Sequence, residues 1–248
     1  MTSGSILSLA LFVAGAGLLL PVTSSAANGE ADKGGISLNQ TRVIVDAKGN
    51  IKNLTITNTS DRTFLVQSRV AQTLDGAHAA PFIVTPPLFR LAPHSSQILR
   101  FLPQGISSLP VDRESLFSLS VLTIPAGENQ NDSQLRMSAG MRFGLKLFYR
   151  PKGLDAPTES QICALRFTQS AQNVRIENPT AYHQTLGTLI LNGAPADLQT
   201  HPLMLPPYGV LTYPTKVNLE HIRWQAINDY GALSTSCQRS LNQKQETL

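Results

Sequence analysis

The chain is poor in the features from which enzyme sites are usually recognised. It has five histidines, and His78, His94, His183, His201 and His221 are scattered, with no H-x-H or H-x-x-x-H spacing. No G-x-S-x-G, Walker loop or G-x-G-x-x-G occurs, so nucleophile-elbow and nucleotide-cradle chemistry have no sequence support. With only two cysteines, far apart, and no clustered histidines, a zinc site is not indicated either. The expectation is a protein that is not an enzyme and has no metal or cofactor. Charge is also sparse, at 15% of 248 residues. Residues 28–151 carry 13 Lys+Arg against 9 Asp+Glu, while residues 152–248 carry 7 of each. A surplus of that size favours an anionic partner weakly, and it lacks the dense basic patch that nucleic-acid binding needs. No nucleic-acid partner is expected.

Long apolar runs are missing too, apart from one. Ile6 to Leu20 (ILSLALFVAGAGLLL) is short for a bilayer span and is followed by Pro21 and small residues up to Ala27. Residues 1–27 contain no charged side chain and read as a secretory signal peptide without the usual basic start, a membrane anchor being the alternative. After cleavage no membrane anchor is expected. In an oxidising compartment Cys163 and Cys237 can bond, closing a loop worth roughly 4 kcal/mol in the chain-entropy model. Two free buried thiols remain the alternative.

What the chain does contain is a succession of short apolar or alternating runs between turn residues. TRVIV (41–45), LTITN (54–58), FLVQSRV (64–70), FIVTPPLFRL (82–91), QILRFL (97–102) and LFSLSVLTI (116–124) suggest an antiparallel sandwich of about seven strands. Pro86 and Pro87 demote part of their run to an edge or a switch between sheets. After Arg150-Pro-Lys-Gly153 the pattern restarts with CALRFT (163–168), NVRIEN (173–178), TLGTLIL (185–191), HPLMLP (201–206), VLTYP (210–214) and IRWQAIN (222–228). The expected architecture is all-β: two immunoglobulin-like sandwich domains, 28–151 and 152–248, set at an angle with a cleft between them. GENQND (127–132) reads as a polar loop, and the segment after Cys237 as a loose polar tail.

One strand stands out. From Leu135 to Leu147 every odd position is apolar: Leu135, Met137, Ala139, Met141, Phe143, Leu145 and Leu147. Side chains alternate along a strand, so this is one long strand with one greasy face, against a usual length of about 5–6 residues. A central core strand is the plain reading. The alternative is an edge strand projecting past its own core, used to pair with another protein.

The segments NQTRVIVD (39–46), VTPPLFRL (84–91), LPVDRESLFSLSV (109–121), LKLFYRP (145–151), IENPTAYH (176–183) and INDYG (227–231) together resemble the periplasmic chaperones of the chaperone–usher pathway, the PapD-like and FimC-like proteins. The resemblance covers nearly all of 36–237. It implies a periplasmic protein that caps pilus (fimbrial) subunits, which are immunoglobulin-like folds lacking their last strand, and hands them to an outer-membrane usher. The lent strand would be the alternating one, with Met137, Ala139 and Met141 donated and Leu135 and Phe143 flanking. Ala139 stands where members often place larger branched residues, so one subunit pocket would be only partly filled.

The same resemblance implies that Arg42 and Lys146 anchor the subunit's C-terminal carboxylate in the cleft. It makes Glu114, Arg150 and Asp229 an ion network that orients the domains, and it sets Pro86 and Pro87 in a segment that controls usher engagement. The other class to weigh is a secreted immunoglobulin-like structural or adhesive protein such as a pilus subunit. That reading needs an N-terminal donor extension, and Gly29 to Gly35 is short and polar.

Overall fold

A computed structural model describes residues 34–48, 53–76, 78–126, 139–170 and 172–241. Nine strands form a first sandwich: β1 (Ile36–Leu38), β2 (Arg42–Asp46), β3 (Leu54–Asn58), β4 (Phe64–Ala71), β5 (Phe82–Thr85), β6 (Leu88–Leu91), β7 (Ser95–Pro103), β8 (Ser115–Pro125) and β9 (Met141–Arg150). They lie in two sheets, ordered β1-β3-β7-β5 and β2-β9-β8-β4-β6. A one-turn helix, α1 (Glu159–Ile162), leads into a second sandwich of β10 (Arg166–Ser170), β11 (Asn173–Glu177), β12 (Gln184–Leu191), β13 (Ala194–Pro195), β14 (Met204–Leu205), β15 (Val210–Pro214), β16 (His221–Ala226) and β17 (Cys237–Ser240). Its sheets are β10-β11-β15 and β13-β12-β16-β17, with β14 also on β12. The protein is therefore two immunoglobulin-like sandwiches, nearly all-β.

Alternation explains the layers. On β4, Phe64, Val66 and Val70 point inward and Leu65, Gln67 and Arg69 outward. On β8, Phe117, Leu119, Val121 and Thr123 face the same core. Leu54, Ile56, Leu99 and Phe101 come from the opposite sheet to meet them. The second core is centred on Trp224, with Phe167 4.8 Å away between ring centroids and Leu165, Ile176, Leu189 and Leu205 fully buried around them. Cys163 and Cys237 are joined by a disulfide, Cα atoms 5.3 Å apart. It ties the end of α1 to β17.

As expected from Pro86 and Pro87, the 82–91 run is two edge strands in different sheets, and the crossing at Pro86-Pro87 is held by Ser68, which donates from N to Pro87 O at 2.8 Å and from Oγ to Pro86 O at 2.8 Å. Other elements differ from the sequence expectation. Residues 163–165 are not strand. Thr158 and Gln161 form a capping box that starts α1, and Cys163 caps its C-terminus. HPLMLP contributes only Met204–Leu205. The chain after Cys237 continues as β17 to Ser240, paired with β16, so the polar tail SLNQKQETL (240–248) starts on the last residue of a strand, and its residues 242–248 lie outside the described residues.

The long alternating strand is corrected most. β9 begins at Met141, and Ala139 and Gly140, although described, lie exposed outside it. The ladder explains this: Thr123–Met141 is the last β8–β9 pair, while Ile124 and Pro125 continue only on β4. Leu135, Met137 and the loop 127–132 lie outside the described residues. At the other end β9 runs past Leu147 to Arg150, because from Leu147 onward both faces are covered.

Candidate binding site

β9 has two different edges. One is fully paired with β8, from Met141 to Tyr149. The other carries β2, which runs parallel and in register from Arg42–Lys146 to Asp46–Arg150. β2 starts at Arg42, so among the described residues no strand pairs with this edge of β9 from Met141 to Leu145. Within this five-residue stretch, the backbone donors and acceptors that alternate residues aim away from β8 are therefore presented along the strand, a template for strand addition.

The side chains of this segment grade from open to buried. Met141 is 57% exposed, Phe143 is half-buried against the first core, and Leu145 is 7% exposed within it. The opposite face is held down by the loop after β4. Asp75 accepts a hydrogen bond from Arg142 at 2.8 Å, and the Leu74 side chain lies over Gly144 so closely that a Cβ there would sit 2.9 Å from its methyls. In the sequence, Asp75-Gly76 is a turn dipeptide. Nothing in its spelling signals that Leu74 and Asp75 reach a strand about 70 residues on.

Where the unpaired edge stops, two cations meet. Arg42 and Lys146 are cross-strand neighbours. Arg42 is buried, donates from Nη1 to Ile227 O at 3.0 Å, and lies over the Phe148 ring, 5.6 Å from its centroid. Its Nε is buried with no hydrogen-bond partner. Among the described residues, Lys146 Nζ has only a long bond to Thr185 Oγ1, 3.4 Å. Burial pushes the Lys146 ammonium below its ordinary pKa, and the charge of Arg42 pushes it further. Burial likewise lowers Arg42, against the pull of Asp229 and Glu114. Two desolvated like charges with incomplete hydrogen bonding are what an arriving anion would relieve.

Behind them is a closed ion network. Arg150 donates from Nε to Glu114 Oε1 and from both terminal nitrogens to the Asp229 carboxylate, all at 2.7 Å. Glu114 Oε2 also accepts from His183 N at 2.8 Å. Burial disfavours the Arg150 charge, but the bonds to Asp229 and the fields of Glu114 and Asp229 outweigh it and hold the pKa above the usual guanidinium value. The network crosses between the sandwiches, since Arg150 and Glu114 belong to the first and Asp229 and His183 to the second. Between it and Arg42 lies a cavity of about 30 Å³, lined by Arg42, Phe148, Arg150, His183, Gln184 and Ile227 among others.

The structure thus brings Arg42 and Lys146 together at one end of an unpaired edge, and Glu114, Arg150 and Asp229 together behind them. Of the donor positions, it places Met141 and Phe143 on β9 and Ala139 just before it. Thr185 and the Ile227 carbonyl, which hold the two cations, were not legible in sequence: one is an ordinary strand threonine and the other is backbone. Among the described residues no group of three His, Cys, Asp or Glu side chains is arranged to hold a metal, and no helix is long and apolar enough to cross a membrane.

Comparison with known proteins gives the family. Residues 35–155 match the family described as pili and flagellar-assembly chaperone, PapD N-terminal domain, and residues 161–238 match pili assembly chaperone PapD, C-terminal domain. The chaperone protein FimC of Escherichia coli K12 is 34% identical over 226 residues, covering 88% of this chain and 89% of FimC. Among solved structures, a chain of the Salmonella enterica SafA pilin–SafB chaperone complex superposes with a TM-score of 0.74 at 30% identity, covering 83% of this chain and 96% of that one. The periplasmic chaperone SfaE gives 0.67 at 33%, covering 82% and 98%.

Proposed function

Because this chain belongs to the PapD-like family of pilus-assembly chaperones, whose two domain models match it in order, we propose that it captures pilus subunits in the periplasm by donor-strand complementation and delivers them to an outer-membrane usher. The observation that carries this is the unpaired β9 edge from Met141 to Leu145, ending at the Arg42–Lys146 pair. A guest strand placed on that edge continues the line of β2. If its terminal carboxylate meets the two cations, its chain direction follows: it runs toward Arg42, parallel to β9. Carboxylate and backbone ladder then fix the register together, which matters because a one-residue slip turns every donated side chain away from its pocket.

Met141 and Phe143 present the apolar face at this edge, and Leu135, Met137 and Ala139 extend the same alternation upstream. Burying a side chain of this size contributes on the order of 1.5–3 kcal/mol. Each charge-assisted hydrogen bond from Arg42 or Lys146 adds about 1.5–3 kcal/mol. The Glu114–Arg150–Asp229 network orients the two sandwiches so that both cations face the guest. The usher step draws support from an exposed apolar patch beside Pro86-Pro87, formed by Leu65, Leu88 and Ile124 on adjoining strands. A periplasmic site accords with the signal-like residues 1–27 and with the disulfide.

Co-expression with the neighbouring fimbrial genes tests the reading. Pull-down of the wild-type chaperone is expected to recover a pilus subunit, and pull-down of Arg42→Ala to recover none while the variant stays folded. Recovery of a subunit at wild-type yield with Arg42→Ala would overturn the anchor.

A further inference from the structure

The loop from Ile227 to Ser234, between β16 and β17, touches the anchor at two points. Ile227 O accepts the Arg42 Nη1 hydrogen bond at 3.0 Å. Gly231, at φ 83°, packs against Thr41, the residue immediately before Arg42, and a Cβ there would run into Thr41 Oγ1. The loop is internally braced. Asn228 Oδ1 accepts from Tyr230 N at 3.0 Å and from Ala232 N at 3.1 Å, and Gly231 N donates to Asn228 O at 3.0 Å. Ile227 N donates to Thr185 O at 2.8 Å, next to the hydroxyl that meets Lys146.

The bracing sorts charge. Asp229 and Glu114 are both close enough for their fields to act on Arg42, yet both carboxylates are bonded to Arg150 instead. Arg42 receives a neutral carbonyl, which orients the guanidinium without cancelling its charge and leaves the buried Nε edge unmatched. The Nε edge is one of the edges by which a guanidinium can grip a carboxylate through two parallel bonds. A loosened loop would let Asp229 turn to Arg42 and neutralise it.

We propose that the Ile227–Ser234 loop is the positioning element of the carboxylate anchor, with Asn228 and Gly231 as its positioning residues, keeping Arg42 charged, oriented and free for the guest's terminus. This rests on the anchor reading above. The second sandwich then acts in capture by keeping the ion network's carboxylates off the anchor.

The test uses the mature protein and a synthetic peptide alternating valine and threonine, made once with a free C-terminal carboxylate and once as the amide. The wild type is expected to prefer the free acid by roughly tenfold or more, the worth of one charge-assisted bond. Asn228→Ala and Gly231→Ala are expected to cut that preference to about threefold or less while binding the amide as the wild type does. Adding Thr41→Ala to Gly231→Ala makes room for the Cβ and is expected to recover part of the preference. Melting curves check that each variant is folded. A wild-type acid-to-amide ratio in both single variants, or an equal loss for both peptides, overturns the positioning role alone. A wild type indifferent to the terminus overturns the anchor reading, and this inference with it.

Discussion

Lys146→Met separates an anchoring cation from a structural one. Methionine keeps the length and much of the apolar stem of lysine while removing the charge. In the unliganded protein that charge gains little: its one hydrogen bond is 3.4 Å long, its neighbour is Arg42, and burial and Arg42 both lower its pKa. A base whose folded pKa is depressed destabilises the fold while protonated. The unfolded chain holds the proton more tightly, so stability rises with pH between the folded pKa and the ordinary lysine value of 10.5. Lys146→Met should therefore be neutral or stabilising by up to about 1 kcal/mol at pH 7, and should flatten the alkaline rise. Subunit affinity moves the other way. Losing one charge-assisted bond to a carboxylate costs about 1.5–3 kcal/mol, or roughly 10–150-fold. Urea denaturation across pH gives the first quantity, and titration with a purified subunit or its C-terminal peptide gives the second. A variant that melts several degrees lower yet binds with wild-type affinity would refute the reasoning, because Lys146 would then be holding the fold together.

Glu114→Gln should cost about 3–5 kcal/mol in thermal or urea unfolding, since it removes one partner of a buried cation and weakens the bond from His183 N; a loss under about 1 kcal/mol would mean Asp229 alone satisfies Arg150. Met141→Lys should leave unfolding within about 0.5 kcal/mol, the side chain being 57% exposed, while greatly reducing subunit capture in pull-down. Replacing Cys163 and Cys237 by serine should lower stability by about 2–5 kcal/mol, with the loss confined to the second sandwich by hydrogen exchange and subunit affinity unchanged where the protein is folded.

What could be read from the sequence was whatever alternation and turn chemistry encode locally. LTITN and VLTYP stand as strands at the same residues in the structure, because each is a half-buried run with its own stop signals. Elements decided by a distant partner could not be read. β17 is polar and exists because β16 offers an edge. Among the described residues β9 begins at Met141, opposite Thr123 on β8, and the next two residues of β8 pair with β4 alone, so alternation by itself placed Ala139 and Gly140 in a strand that does not include them. The site divides in the same way. Arg42 and Lys146 were named through family motifs, but their partners are a carbonyl and a hydroxyl from the other sandwich, which carry no signature in the chain.

The register of β2 on β9 links fold to function. Had β2 begun five residues earlier in the same parallel pairing, it would have covered β9 from Met141, and the protein would have been an ordinary closed sandwich. Starting at Arg42 does two things at once. Among the described residues it leaves the edge of Met141 to Leu145 unpaired, and it puts a cation at the end of that stretch, beside Lys146 on the neighbouring strand. An open β-edge with an exposed apolar face invites indiscriminate pairing. The buried cations counter that, because a strand that continues past Lys146 would push uncharged backbone against two desolvated positive groups. On the proposed mechanism, a strand that ends there brings its terminal carboxylate to them. On the proposed mechanism, selection for a chain terminus follows from where one strand begins.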